Sequence, residues 1–346
     1  MKFNYLFLLT LICCSSGLLA QGNFDVKGFG SVEHDIEYYD NVEELEFDWQ
    51  LGEQSLFITG DMGGKFSFLG EFSLDQGSSH NIEANIHRVR IKYNYVGNHS
   101  LIIGQVHTPV NYWNDVFYHA RIFFPTTDRP LAFSYFMPVH SIGLRAQGQN
   151  LGKLNFGYDI QTTNSLTDDG NNPAVLGAFH IKPVDGMRIG ASYYYSYIPQ
   201  NNTMQHMHQG SGMMGSMYAG SLDYQLINFS FARFEQKLEI LNEFSAALSR
   251  TDSLGAAQNY SNYLYVGYNI KELHTPYLLC DILKSANNDL RNGAINKVKF
   301  GIGYKYQFTP LLNMKCQLER HTANPDWSNP AANYYEFTLQ LSYAIY

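Results

Sequence analysis

The chain has 346 residues, a formal net charge of −8 and only 16% charged residues. Aromatic residues make up 15% of it, with 26 Tyr and 23 Phe, and the mean hydropathy is −0.25. Low charge and high aromatic content exclude an intrinsically disordered chain. No run after residue 20 approaches the ~20 apolar residues that a membrane-spanning helix needs. The acidic balance without a basic run argues against nucleic-acid binding.

The first twenty residues have the features of a cleaved secretory signal peptide. Lys2 provides a basic start, an apolar stretch covers 6–14, and small residues lead to Ala20. We predict cleavage after Ala20 and export of residues 21–346 as one domain. The alternative is a lipoprotein signal with lipidation at one of its cysteines, although the residues before them fit a lipobox poorly.

Alternation of apolar and polar residues recurs along the exported chain and predicts β-strands. Between Val298 and Phe308 the apolar residues alternate with Lys, Gly and Gln, and 187–196 and 334–346 repeat this period. A two-residue period over about 9–11 residues is what a transmembrane β-barrel needs. The predicted strands are 24–35, 54–62, 65–74, 84–95, 99–107, 136–147, 153–161, 175–183, 187–197, 215–225, 228–237, 260–269, 275–284, 295–307, 311–320 and 334–346.

The connections between these strands are expected to alternate in length. The short ones are 62–64, 96–98, 148–152, 183–186, 226–227, 270–274 and 309–310, and the long ones are 36–53, 75–83, 108–135, 162–174, 198–214, 238–259, 285–294 and 321–333. This pattern favours an all-β fold, a transmembrane antiparallel β-barrel of about 16 strands with short periplasmic turns and long extracellular loops. The segment 238–250 also suits a helix, which would change the strand count by two. A secreted β-sandwich is the alternative fold, but its outward faces would be polar.

On these features the chain resembles Gram-negative outer-membrane porins over essentially all of 21–346. The stretch His-Thr-Pro-Val-Asn-Tyr-Trp-Asn-Asp at 107–115, with Asp-Arg-Pro at 128–130, is similar to one in uncharacterised porin-like proteins of Bacteroidota. The resemblance implies a third loop, 108–135, that folds into the pore. It also implies an outer-membrane location among lipid and lipopolysaccharide, insertion by the barrel assembly machinery, and a homotrimer. Tyr346 departs from the pattern, because it is out of phase with the apolar stripe of the last strand.

Basic residues on the polar face of the predicted strands are expected to line the pore. A basic side chain facing lipid at the midplane would cost about 2–4 kcal/mol. The residues are Arg88, Arg90, Lys92, Arg145, Arg188, Lys297, Lys299, Lys305 and Lys315, against fewer inward acids (Glu71, Asp159, Glu319 and Glu336). An excess of positive charge would favour anions. The alternative is that these bases pair with loop carboxylates. The acids of loop 36–53 are expected to be solvated or to form a cation-attracting vestibule.

The third loop carries the candidate constriction residues, which are His107, Trp113, Asp115, His119, Arg121, Asp128 and Arg129. Their mixture of acids and bases would create a transverse field, and the aromatic residues would contact sugars or rings. The alternative is that Trp113 and the adjacent Phe123 and Phe124 only anchor the loop to the inner wall.

The segment 198–217 is rich in methionine and histidine and has no charged residue. Its candidate ligands are Met204, His206, Met207, His208, Met213, Met214 and Met217. Thioether and imidazole ligands suit copper, Cu(I) above all, or another transition metal. The alternative is a surface loop with chance enrichment.

These observations predict an outer-membrane porin for passive diffusion of small hydrophilic solutes, with a preference for anions. The alternative is a copper-binding or ligand-capturing surface protein that uses the barrel as an anchor, and a soluble exported β-protein is a third interpretation. No enzyme is predicted, because no Ser/His or Asp/His pair has a supporting motif and no phosphate loop occurs. Cys280 and Cys316 are predicted to be free, lipid-facing thiols.

Overall fold

The computed structural model describes residues 23–40, 43–76, 82–118, 123–164, 172–199, 221–289, 291, 294–323 and 333–345. The predicted signal peptide 1–20 with its cleavage site, His119, Arg121 and every candidate copper ligand in 204–217 lie outside the described residues.

The described chain folds into one sheet of antiparallel strands. The strands are β1 (Phe24–Tyr39), β2 (Glu44–Leu51), β3 (Gln54–Asp61), β4 (Phe66–Gln76), β5 (Ile82–Val96), β6 (His99–His107), β7 (His140–Leu151), β8 (Phe156–Asn164), β9 (Pro173–Ile181), β10 (Met187–Ile198), β11 (Leu222–Phe234), β12 (Leu238–Thr251), β13 (Gly255–Tyr268), β14 (His274–Lys284), β15 (Asn296–Thr309), β16 (Leu312–Ala323) and β17 (Asn333–Ile345). A π-helical turn (Trp113–Phe117) and a one-turn helix, α1 (Ala132–Tyr135), lie between β6 and β7. In the part of the chain that is described, no helix has the length and hydropathy needed to cross a membrane.

The sheet closes on itself, because β1 pairs with the last strand as well as with its neighbours in sequence. Its register with β17 runs from Gly28 opposite Ile345 to Tyr39 opposite Tyr334. On its other edge the first half of β1 pairs with β3 and the second half with β2. Since β2 and β3 therefore form one wall strand interrupted at 52–53, the structure is a closed barrel of 16 strands. This confirms the predicted fold class.

The two faces of the wall follow the two-residue period of the sequence. In β13 the side chains of Tyr263 and Tyr265 point into the barrel and are buried, whereas Leu264 and Val266 are exposed on the outside. The outer face carries exposed apolar residues on most strands, such as Ile103 at 59% and Leu278 at 60%. An apolar exterior on a closed sheet is the arrangement that a bilayer requires.

The prediction was wrong between residues 226 and 259. The expected turn at 226–227 lies in the middle of β11, and the expected loop 238–259 consists mostly of β12 and the start of β13. The true turns are 235–237 and 252–254. The single strand β11 was predicted as two strands and β12 was missed, so the total of 16 was correct although the strand positions in this region were not.

Three other boundaries differ from the prediction. Loop 36–53 is largely strand, because β1 extends to Tyr39 and β2 begins at Glu44. The turn expected at 148–152 is at 152–155, and β7 begins at residue 140 rather than 136. The third loop therefore covers 108–139, and we call this segment the inserted loop.

Candidate constriction site inside the barrel

The inserted loop lies inside the barrel. It contacts the wall on the side opposite β6 and β7, the two strands that it connects. The backbone N–H of Tyr112 donates a hydrogen bond to Glu243 Oε1 of β12 (2.6 Å). The N–H of Leu131 donates to Asp281 Oδ2 of β14 (2.6 Å). Because β12 and β14 are across the barrel from β6 and β7, the loop must cross the interior to reach them. The third loop is therefore folded into the barrel, which is the position that the resemblance to porins implies.

An apolar core fills the space between the inserted loop and one half of the wall. Trp113 and Phe133 are each 1% exposed, with ring centroids 5.1 Å apart, and Phe124 packs on Tyr265 at 4.7 Å. The wall contributes inward-facing residues from β10 to β14, namely Tyr194, Tyr224, Leu226, Leu241, Tyr263, Tyr265, Tyr277, Leu279 and Leu283. Contrary to the expected polar lumen, much of the inner face of β10–β14 is apolar. Trp113 and Phe124 therefore make the contacts expected if these residues anchor the loop to the inner wall.

Most of the predicted pore-lining bases contact the inserted loop. Arg188 Nη2 is 2.6 Å from Asp115 Oδ2, and Lys299 pairs with Asp128. Three further lysines donate to the loop: Lys297 to the Tyr135 hydroxyl (2.6 Å), Lys305 to the Phe123 carbonyl (2.6 Å) and Lys315 to the Thr126 carbonyl (3.2 Å). All five lie on the predicted inner face, but their hydrogen bonds hold the loop.

Lys299 joins two carboxylates from different parts of the barrel. Its ammonium pairs with Asp128 of the inserted loop and lies 3.3 Å from Glu319 Oε1 of β16. Gln317 Nε2 donates to Asp128 Oδ1 at 3.1 Å. Although 45% of the Asp128 side chain is exposed to the lumen, the enclosing wall desolvates it and would raise its pKa. The positive charge of Lys299 outweighs this effect and lowers the pKa of Asp128 below its usual value.

The other predicted bases lie on β5 and β7, away from the apolar core. Arg88 Nε bonds Glu71 Oε2 at 2.7 Å, and Arg145 is 3.7 Å from Asp159 Oδ1. Arg90 and Lys92 share the inner face of β5 with Arg88, and neither makes an ion pair or hydrogen bond with any residue in the described ranges. A row of basic residues with two unneutralised members therefore lines this side of the interior.

The constriction residues of the inserted loop have individual partners. Asp115 pairs with Arg188 and Asp128 with Lys299, while Arg129 Nη2 lies 3.3 Å from Glu53 Oε2. Each charge in the described part of the loop is thus compensated by a charge at its own site. His107 is at the root of the loop, where it contacts other histidines.

The interior holds more acids than the sequence predicted. Glu53 is 7% exposed and faces Arg129, so it is not part of a solvated loop. Glu243 and Asp281 are 2% and 0% exposed and accept the backbone hydrogen bonds of the inserted loop. Glu243 was missed because its strand was taken for a loop. Asp281 lies at an inward-facing position of the predicted strand 275–284. The alternation that assigned the basic residues to the inner face could have predicted it as well.

Cys280 and Cys316 are free, as predicted. Cys280 alternates with the exposed Leu278 and Ile282 on the outer face of β14. Cys316 is next to the exposed Leu318 on the same face of β16. Since β15 separates the two strands, the thiols are too far apart for a disulfide.

No protein-family model matches the sequence, and no curated protein matches it. Solved structures do match over almost the whole chain. An anion-selective porin from Comamonas acidovorans superposes with a TM-score of 0.70 at 10% identity, covering 94% of this chain and 100% of that one. The outer membrane channel DcaP of Acinetobacter baumannii gives 0.64 at 12% identity, with coverages of 94% and 98%. OmpT of Vibrio cholerae in its trimer form gives 0.63 at 8% identity, with coverages of 94% and 99%.

At identities of 8–12% these similarities concern the fold. The chain has the architecture of Gram-negative outer-membrane porins, as its alternating strands predicted.

Proposed function

We propose that the protein is an outer-membrane channel through which small hydrophilic solutes diffuse passively, with a preference for anions. The closed 16-strand barrel with an apolar exterior supports insertion in a membrane. The inserted loop supports a narrowed passage rather than a wide pore, because it occupies the β10–β14 side of the interior. The proposal assigns the protein no catalytic reaction.

The unpaired bases of β5 carry the anion preference. Five of the nine predicted bases hold the inserted loop, and Arg88 and Arg145 are close to carboxylates. Arg90 and Lys92 are the members of the row without such a partner among the described residues. Two uncompensated positive charges beside a passage with low-dielectric walls raise the local concentration of anions. The structural neighbour from Comamonas acidovorans, described as anion-selective, is consistent with this assignment.

The remaining features of the proposal follow from a porin-like function. The chain would be exported after cleavage near residue 20, inserted by the barrel assembly machinery, and surrounded by lipid and lipopolysaccharide. We propose a homotrimer, since one structural neighbour is described as a trimer.

Reversal potentials in planar lipid bilayers test the proposed function. In a gradient of potassium chloride we expect the full-length channel to prefer chloride, and the variant Arg90→Glu/Lys92→Glu to lose or reverse that preference. Lys153→Glu, in the exposed turn 152–155, makes the same kind of charge reversal at one position away from the lumen and should leave selectivity unchanged.

Two results would contradict the proposal. A steady channel whose chloride preference is the same in the Arg90→Glu/Lys92→Glu variant would remove the assigned basis of selectivity. Folded protein that inserts into the bilayer but conducts almost no current would favour the alternative function, a metal- or ligand-capturing surface protein anchored by a closed barrel.

A further inference from the structure

Three histidines from three adjacent strands meet at the root of the inserted loop. His107 is the last residue of β6 and His140 the first of β7, and the two are cross-strand partners. His87 of β5 lies beside them, and one nitrogen of each ring lies within 4.8 Å of the others. His87 and His107 are buried and His140 is half-buried. We call this group the histidine cluster.

A β-bulge brings His87 into the cluster. On β4, Glu71 is opposite Arg88 and the next residue, Phe72, is opposite Ile86, so His87 is an extra residue without a register partner. Without the bulge, the strict alternation of β5 would point His87 towards lipid when Arg88 points inward. The bulge instead allows two successive residues, His87 and Arg88, to be turned away from the exposed outer face.

The imidazole nitrogens are spaced almost as they would be around a bound metal ion. His87 Nδ1 and His140 Nε2 are 3.2 Å apart, and the ring centroids of His107 and His140 are 4.6 Å apart. Two nitrogens that bind Zn²⁺ tetrahedrally at about 2.0–2.1 Å are separated by about 3.4 Å. His107 offers a third nitrogen within 4.8 Å of the other two, and rotation of a side chain can bring it closer.

The surroundings of His87 are those of an oriented metal ligand. If Nδ1 faces the other histidines, Nε2 is directed at Ser73 Oγ (2.6 Å), with Asp75 and Glu53 carboxylate oxygens 3.9 and 4.0 Å away. A hydroxyl or carboxylate on the second ring nitrogen fixes the tautomer and makes the imidazole a better ligand. Tyr118 of the inserted loop places its hydroxyl 3.3 Å from His87 Nδ1, next to the same space.

We propose that His87, His107 and His140 bind a divalent transition-metal ion, with Zn²⁺ as the best match to three neutral imidazoles and one further position for water or Tyr118. The ion would join β5, β6 and β7 to the inserted loop at the point where that loop enters the lumen. Two other groups in the described residues have a similar spacing of ligand atoms: Glu53 and Asp75 with His87 itself, and Glu319, His321 and Glu336. There the His321 Nε2 already lies between carboxylate oxygens at 3.1 and 3.0 Å, which an ion pair explains without a metal.

Zinc titration of the full-length folded protein, after treatment with a chelator, tests the site. The parent carries His206→Gln and His208→Gln, so that the segment 198–217 contributes no imidazole. We expect one Zn²⁺ per chain, and a loss of affinity of more than about 100-fold in His87→Gln, His107→Gln or His140→Gln, since even second-shell changes cost about 10–100-fold. His99→Gln is the matched control, because it changes a histidine at the other end of β6.

Two measurements keep the outcome clear. Heat-modifiable migration on a gel verifies that each variant is folded. X-ray absorption of the zinc-loaded parent should show imidazole scattering from three ligands at about 2.0–2.1 Å, and it needs no variant. Absence of zinc binding by the parent, an affinity in the three single variants equal to that of the parent, or an absorption spectrum with fewer than three histidines would overturn the proposal. None of these results bears on ion selectivity, which is tested separately.

Discussion

At the scale of single residues, buried charge in this barrel is tied to the inserted loop. The sequence predicted the inward parity of Lys299 correctly, because a lysine facing lipid is costly. It did not predict the contact with Asp128, since that contact depends on how the chain between residues 108 and 139 folds. The face of a strand on which a residue lies follows from the local two-residue alternation. A contact with a residue 171 positions away depends instead on the tertiary fold.

Replacing Lys299 with Met should loosen the inserted loop. The substitution removes one of the two basic partners of Glu319, which is 2% exposed, and also the ion pair of Asp128. Removing one partner of a buried pair typically costs about 3–5 kcal/mol of the free energy of unfolding. We expect a lower denaturation midpoint in guanidinium chloride and noisier single-channel current. Lys284→Met, at an exposed position of β14, should change neither, and equal effects of the two substitutions would argue against the role of Lys299.

At the scale of elements, the regular strands were predictable and the inserted loop was not. β15 and β17 alternate strictly, so their faces could be assigned from the sequence. β12 was not recognised because its sequence, LEILNEFSAALSRT, combines Leu, Glu and Ala, which are good helix formers. Its strand conformation comes from pairing with β11 and β13, and tertiary pairing overrides intrinsic propensity.

The apolar core under the inserted loop predicts a strong effect of Trp113→Ala. Trp113 is 1% exposed and packs against Phe133 and Phe124, so its truncation should cost about 3–5 kcal/mol of the free energy of unfolding. We also expect a larger conductance, because the loop loses an anchor on the wall. Trp49→Ala is the matched control, since Trp49 is 64% exposed on β2. A conductance increase of the same size in both variants would show that it does not come from the core.

The segment 198–217 makes a separate prediction for copper. Calorimetric titration with Cu(I) and Cu(II) should show binding to the full-length protein that is lost when residues 204–217 are deleted. The reason is that the soft thioethers of five methionines and two imidazoles suit copper. Because the histidine cluster is an independent site for divalent ions, the Cu(I) titration is the decisive one. Cu(I) binding that survives the deletion would contradict the prediction.

At the scale of the whole molecule, the net charge of −8 is distributed between the interior and the ends of the barrel. The expected separation, with acids in outer loops and bases on the pore wall, was too simple. Beside the expected inward acids Glu71 and Asp159, the interior also buries Glu53, Glu243 and Asp281. The positive and negative charges of the described interior residues therefore nearly balance. The electric field in the passage then depends on the few basic residues without partners rather than on the net charge of the chain.

A field that comes from a few unpaired bases should be sensitive to salt. The Debye length is about 10 Å at 0.1 M and about 3 Å at 1 M ionic strength, so high salt confines the influence of Arg90 and Lys92 to their immediate surroundings. We expect the ratio of chloride to potassium permeability to fall towards one as the mean salt concentration rises from 0.1 to 1 M. In Arg90→Gln/Lys92→Gln the ratio should start near one and stay there. A wild-type ratio that is constant over this range would mean that selectivity arises from close contact with the permeating ion. In that case the paired, partly buried Arg88 and Arg145, which salt screens less, would be the residues responsible.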